Sequence, residues 1–275
     1  MGVLSPAARR LANDGAEEPN LLTVRRLRKS FAGRPVLHDV DFSVRSGELV
    51  AFLGANGSGK STTLRCVAGL NTVDGGDIRI CDDDLKNLRG RQLAHARAQA
   101  AMIFQKIHLV PRRTVLDNVC AGGLTRIPTA HSLTPALFPK DLREEAMACL
   151  DRVGLADRAF DRAGRLSGGQ QQRVAVARAL CQRAKVLLAD EPVSALDPHA
   201  AEQVMDLLRD LAHTEGLAVA AVLHQPDLAS RYADRSIGLL KGRITFNAAA
   251  QSVTTSQLDE LYRPESLGAR PGVTQ

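Results

Sequence analysis

Tryptophan is absent from the 275 residues, and tyrosine occurs only twice. Aromatic platforms for stacking single-stranded bases are therefore scarce. No apolar run approaches the roughly 20 residues of a bilayer-spanning helix. The longest candidates, residues 217–223 and 186–189, have the length of single buried strands. Any link to a membrane then passes through a partner. No long run of Lys or Arg occurs, and 36 basic against 30 acidic side chains leave a net charge of only +6. That balance suits a solvated basic surface better than a nucleic-acid footprint. The five cysteines (Cys66, Cys81, Cys120, Cys149, Cys181) are odd in number and contain no C-x-x-C. Buried thiols in a reducing cytoplasm fit better than disulfides or a zinc site. Residues 1–20 lack the apolar stretch of a secretory signal, and Asp14, Glu17 and Glu18 argue against a transit peptide. Pro6 stands where a myristoylation pattern requires Ser or Thr.

What is present is ordinary for a folded globular protein, with 44% hydrophobic and 24% charged residues. Residues 1–20, rich in Ala, Arg and Pro, read as a flexible leader. Strand patterns run through 22–44, where Val40, Phe42 and Val44 alternate with polar residues. Residues 49–53 form a short apolar run typical of a buried parallel strand. A glycine-rich stretch follows, then a helical pattern with Leu64 and Val67 on one face, then a strand over 77–81. Residues 122–140 carry Pro128, Pro135 and Pro139 and read as a long connection. Leu142, Ala146, Cys149, Leu150 and Val153 line one stripe of a helix over 141–153. Beyond it come a buried strand (186–189), a helix (201–212), a second buried strand (217–223) and a hairpin turning at Lys241-Gly242. Strand–helix–strand alternation predicts a three-layer α/β core with a mostly parallel sheet and an inserted helical lobe. No repeat of 20 to 50 residues is visible, which excludes a solenoid.

Gly54-Ala55-Asn56-Gly57-Ser58-Gly59-Lys60-Ser61 matches G-x-x-x-x-G-K-[ST] between a strand and a helix, with Thr62 next. Glycines permit the positive φ angles that wrap backbone N–H groups around phosphates. The following helix adds its positive N-terminal dipole. Lys60 is expected on the β- and γ-phosphates and Ser61 on Mg²⁺. The second chemical feature is an apolar strand ending in Asp190-Glu191. Ligands bind at the carboxyl ends of strands in open α/β sheets. Asp190 is therefore expected to orient the metal, and Glu191 to polarise the attacking water.

Leu166-Ser167-Gly168-Gly169-Gln170, followed by Gln171-Gln172-Arg173, lies between these two features. Ser167 is a good helix N-cap, so its helix start is a potential anion site. In this order and spacing the run resembles the signature of ATP-binding cassette (ABC) ATPases. Gln105 is similar to that family's Q-loop glutamine, Ser194-Ala195-Leu196-Asp197 to its D-loop, and His224 to its switch histidine. Phe31 stands where the family has an aromatic that stacks on adenine. The likeness covers about residues 22–246.

The resemblance implies a P-loop NTPase (RecA-like) core with an antiparallel β subdomain and an inserted α-helical subdomain. It implies a cassette over 21–250, its helical part at about 106–178, followed by a C-terminal tail over 251–275. Two copies would pack head to tail around two ATP molecules with Mg²⁺, each offering Ser167 and Gly169 to its mate's phosphates. Glu191, His224, Gln105 and Lys60 would be catalytic, Ser61, Gln105 and Asp190 would hold the metal, and Gln170 and Asp197 would complete the nucleotide contacts.

More particularly, residues 105–119, 166–180 and 223–246 resemble the ATPases of phosphonate importers, and Arg231-Tyr232-Ala233-Asp234-Arg235 discriminates that group from generic importers. A long leader and Asn247-Ala248, where an Asp-Gly turn commonly follows the hairpin, depart from it. The implied protein sits at the cytoplasmic face of the inner membrane. It powers permease subunits, with a coupling surface near Gln105 and residues 107–119, and serves an extracytoplasmic solute-binding protein indirectly. Two other readings stay open: an accessory ABC protein of a carbon–phosphorus lyase assembly, and a soluble ABC ATPase acting on nucleic acid or the ribosome. The leading reading expects no nucleic-acid partner.

Overall fold

The computed structural model describes residues 18–128, 132 and 134–263. Two sheets organise these residues. The first is antiparallel and has the order β2-β1-β4-β5, from β1 (Asn20–Phe31), β2 (Arg34–Arg45), β4 (Gly75–Ile80) and β5 (Asp83–Asp84). Val40, Phe42 and Val44 of β2 are all buried, as their alternation predicts. Phe42 meets Phe52 edge-on at a centroid distance of 5.0 Å, joining this sheet to the other.

The second sheet, among the described residues, runs β10-β9-β3-β8-β7-β6. Its strands are β3 (Leu49–Leu53), β6 (Ala100–Ile103), β7 (Val186–Asp190), β8 (Ala218–Val222), β9 (Arg235–Leu240) and β10 (Arg243–Ala249). All but β10 are parallel to their neighbours. Every residue of β3, β7 and β8 is buried. Continuous apolar runs are what a parallel sheet covered on both faces requires. Helices α1 (Lys60–Val67) and α6 (Pro198–Glu215) pack against it, and the short α2 (Gly90–Ala98) leads into β6. The turn at Lys241-Gly242 falls where expected. Asn247 and Ala248, which stand in place of the family's Asp-Gly turn, are strand residues paired with Ile237 and Ser236.

Between β6 and β7 stand α3 (Val115–Cys120), α4 (Lys140–Arg152) and α5 (Gly168–Cys181), which pack on one another. The proline-bearing connection includes short 3₁₀ turns at Ala121–Arg126 and Pro135–Leu137. Two segments of this lobe are laced together by main chain. Val115 N donates to Asp161 O at 2.9 Å and Leu116 N to Ala159 O at 2.8 Å. Ala163 N donates to Arg113 O and Gly164 N to Pro111 O, both at 3.0 Å.

Helix α7 (Pro226–Tyr232) follows β8, and α8 (Thr255–Tyr262) ends the described chain. The described part of the tail expected from residue 251 contains α8. Its Thr254/Gln257 capping box closes the first turn, and Leu261, 1% exposed, is in the core. The expected leader through residue 17 and the tail beyond 263 lie outside the described residues. All five cysteines are free thiols, with Cys81 half-buried and the rest buried. Among the described residues no helix is long and apolar enough to cross a membrane.

Candidate active site

Strands β3, β8, β7 and β6 are consecutive and parallel, so their carboxyl ends share one edge of the sheet. The chain leaves β3 at Gly54, β8 near His224, β7 at Asp190-Glu191 and β6 just before Gln105. Residues far apart in sequence are thereby gathered by topology alone.

The phosphate loop has the geometry its glycines allow. Gly54, Gly57 and Gly59 have φ of 145°, 79° and 108°. A Cβ on Gly59 would come within 2.7 Å of Leu37 in β2, so the antiparallel sheet closes over the loop. Gly242 N donates to Ser58 O at 2.9 Å, fastening the loop to the β9–β10 turn. Lys60, 5% exposed, donates to Gly54 O at 2.7 Å and Ala55 O at 3.0 Å. Burial pushes its pKa below the usual lysine value, and the nearby Glu191 and Asp190 charges pull it back up. Ser61 and Thr62 are half-buried in the first turn of α1, while Asn56 and Gly57 are exposed. Thr63, which sequence reasoning missed, ties the turn by donating to Gly59 O at 3.0 Å.

Asp190 is 1% exposed. Its Oδ2 accepts from Arg65 Nη2 at 3.2 Å, while Oδ1 has no hydrogen-bond partner. Ser58 Oγ is likewise buried and unpartnered. Orphaned polar atoms are costly to bury unless something else satisfies them. Both belong to the proposed phosphate–metal site. Glu191 has φ 54°, a rare conformation for a residue with a Cβ, which turns it away from its neighbour. Its Oε2 accepts from Gln105 Nε2 at 2.7 Å, and its Oε1 lies 2.6 Å from His224 Nε2.

The signature residues form a separate group. Ser167 caps α5, accepting from Gln170 N at 3.3 Å, and Gln170 Oε1 accepts from Ser167 N at 3.0 Å. Gln170 is thus engaged in the cap. Ser167 and Gly168 are exposed, leaving this helix start open to the outside. A Cβ on Gly168 would stand 3.4 Å from Leu196, and one on Gly169 would stand 2.8 Å from Ala200 Cβ. The signature therefore packs beside the D-loop residues, and none of its capping bonds reaches the phosphate loop. Asp197 caps α6 by accepting from Ala200 N at 3.0 Å. Phe31 is 45% exposed at the end of β1, which rules out a core role, and Lys29 Nζ lies 5.1 Å from its ring centroid.

Two residues outside the expected set hold the site's surroundings. Arg178 of α5 donates to His108 O at 3.0 Å and Ile107 O at 3.3 Å, joining that helix to the segment after Gln105. Tyr262 of α8 accepts from Gly54 N at 3.3 Å. The sequence signal for the helix bearing Tyr262 is the Thr254-x-x-Gln257 box ahead of Leu258 and Leu261.

The fold and the loop at its strand ends define a P-loop nucleotide-binding domain. A family model described as ABC transporter matches residues 37–194. The chain belongs to that family. It is 47% identical over 245 residues to the phosphonates import ATP-binding protein PhnC 2 of Pseudomonas savastanoi pv. phaseolicola, covering 87% of this chain and 88% of that one. It is 43% identical over 249 residues to PhnC of Caulobacter vibrioides, covering 89% and 94% respectively. Among solved structures, the dimeric bacterial ABC transporter cassette MJ0796 matches with a TM-score of 0.72 and 30% identity, covering 84% of this chain and 100% of that one. CbiO1 from Clostridium perfringens, part of the transporter complex CbiONQ, matches with a TM-score of 0.75 and 26% identity, covering 90% and 97%.

Proposed function

We propose that this chain is the ATP-hydrolysing subunit of an importer for a phosphonate or related phosphorus oxyanion. The observation that carries the hydrolytic part is the Glu191 carboxylate, held at both oxygens beside a phosphate loop. The cargo rests on similarity to relatives named as phosphonate import ATP-binding proteins. The working unit is one cassette over 21–250, with a helical subdomain at about 106–178, extended by α8.

Backbone N–H groups of residues 54–62 and the α1 dipole bind the phosphates of ATP, and Phe31 offers its exposed face to adenine. Lys60 moves its ammonium from the Gly54 and Ala55 carbonyls to the phosphates. Glu191 orients and deprotonates the attacking water, which requires one of its oxygens to be released. His224 holds the other. Among the described residues no group of three or more His, Cys, Asp or Glu side chains is placed to bind a metal by itself. Mg²⁺ suits such a site, since it favours few protein oxygens together with substrate phosphates. The unpartnered Asp190 Oδ1 and the Ser61 hydroxyl fit that ion. The Glu191 oxygen released is the one that Gln105 holds, and the side-chain oxygen of Gln105 is its atom suited to the ion. Bound there, the ion would neutralise developing charge on the phosphates.

The open start of α5 is useful to a second copy. Ser167 and Gly169 complete the mate's phosphate site in a head-to-tail pair, a reading supported by the dimeric relative cassettes. A permease occupies the other face. A cleft of about 400 Å³, lined in part by Leu70, Met102, Phe104, His108 and Arg178, lies beside the segment after Gln105 and suits a cytoplasmic permease helix. The chain then sits peripherally at the cytoplasmic face of the inner membrane and meets the extracytoplasmic solute-binding protein only through the permease.

The test is reconstitution of the chain with its permease in vesicles, with the binding protein supplied. ATPase should rise with a phosphonate or phosphite and not with an unrelated solute such as a sugar. Stimulation by an unrelated solute alone would overturn the cargo assignment. Charge reversal at Arg112 and Arg113 should weaken that stimulation; an unchanged response would remove the coupling surface.

A further inference from the structure

Gly54 is the first residue of the phosphate loop, and its backbone is poorly restrained by its own chemistry. With φ at 145° it occupies a region that residues with a Cβ rarely enter, and a Cβ there would collide with the Leu239 carbonyl. Glycine is required, but glycine also brings the greatest freedom to be lost on ordering. Two outside groups hold it. Its carbonyl accepts from Lys60 Nζ at 2.7 Å, and its amide donates to the Tyr262 hydroxyl oxygen at 3.3 Å.

These two restraints behave differently when nucleotide arrives. The Lys60 ammonium is drawn to phosphate, so the carbonyl loses its partner. The Tyr262 bond uses no group that nucleotide needs, and it persists. Tyr262 itself is well anchored. Its helix begins with a closed capping box, and the adjacent Leu261 is buried. Leu258 and Val253 pack on the same core as Tyr232 and Ala229 of α7, the helix that follows His224. Helix α8 lies outside residues 37–194, the part that matches the family model.

We propose that Tyr262 is a positioning residue of the nucleotide site, its hydroxyl fixing the Gly54 amide so that the loop entry is ordered before phosphate binds. The restraint lowers the entropy lost on binding, as preorganisation does in general. It acts on affinity and not on the water attack, because Glu191 and His224 follow other strands.

Full-length Tyr262→Phe removes the hydroxyl and keeps the ring. Calorimetric titration with Mg-ADP and steady-state ATPase should show the ADP Kd and the ATP KM rising about three- to tenfold, the range of one lost hydrogen bond. The kcat should stay within about twofold of wild type, since the chemical step retains its groups. Thr254→Ala provides the structural comparison. It loosens the start of α8 without touching the hydroxyl, and should lower the melting temperature while leaving ADP affinity unchanged. Unchanged ADP affinity in Tyr262→Phe would overturn the proposal. So would an equal affinity loss in Thr254→Ala, which would assign the effect to helix packing. Binding of ADP to the isolated chain involves neither permease nor cargo, so this outcome is independent of the transport assignment.

Discussion

His224 Nε2 lies 2.6 Å from Glu191 Oε1. The other Glu191 oxygen accepts from Gln105 at 2.7 Å, so one carboxylate joins the ends of three parallel strands, β6, β7 and β8. Each partner restrains the carboxylate differently. His224 follows a strand buried throughout and is itself only half-buried, whereas Gln105 is exposed and follows Phe104, which lines the cleft proposed for a permease. The carboxylate is thus held on one side by a residue that follows a core strand and on the other by an exposed residue.

Replacing Glu191 with Gln keeps the shape and removes the base. ATP turnover should fall by about 10²–10⁴-fold, the usual worth of a general base. The protein should still bind ATP and should elute as a dimer on a sizing column when ATP is present. His224→Ala should lower kcat more than it raises the ATP KM, because it disturbs the carboxylate and not the phosphate loop. A monomeric Glu191→Gln protein at saturating ATP would count against the head-to-tail pair.

The buried Glu48 supplies a pH dependence of stability. Burial acts to raise its pKa, but hydrogen bonds from the Arg235 side chain and the Arg45 amide outweigh that and hold it below the ordinary 4.5. A carboxylate whose pKa is lower folded than unfolded stabilises above its unfolded value, and the gain is lost as pH falls through the folded value. Wild-type melting temperature should therefore drop as pH falls below about 4.5. Glu48→Gln should melt lower at neutral pH, with the two profiles converging in acid. Parallel profiles would show that the Arg235 bonds at 2.7 and 3.0 Å contribute nothing net.

The thiols should divide into two classes. Burial pushes Cys66 up to about 11 and Cys120 up to about 12, so neither offers much thiolate near neutrality. Cys81 is also raised by burial but is half-buried at the end of β4. An aromatic disulfide reagent at pH near 8 should label Cys81 first in the native protein, and the others only on unfolding. Cys81→Ser should abolish the early phase.

The site strands and the phosphate loop are legible because their signals are local. Residues 49–53 and 186–189 are short apolar runs, and the loop is spelled in consecutive residues. Gln105 and His224 are different: neither carries a local signal beyond ending a strand. Only the series of motifs resembling a known family singles them out, and only the strand order puts both on Glu191. Tyr262 escaped altogether. Its helix is short, the run after it reads as polar, and the contact it makes spans 208 residues of sequence. Arg65 and Arg178 escaped for a similar reason, since a basic residue on a helix reads as solvated until its partner, Asp190 or the carbonyls of residues 107 and 108, is known. Asn247-Ala248, a departure from the family's Asp-Gly turn, continues the β10 strand.

The lacing between residues 111–116 and 159–164 has a bearing on inheritance. Every rung is amide to carbonyl, so the link from the stretch beyond Gln105 to the stretch that leads into Ser167 does not depend on which side chains decorate it. Cargo and permease can diversify, and the outward-facing residues can drift with them, while the mechanical connection survives unaltered. Among ordinary substitutions at the donating residues, proline alone deletes a rung outright, by removing the hydrogen it needs.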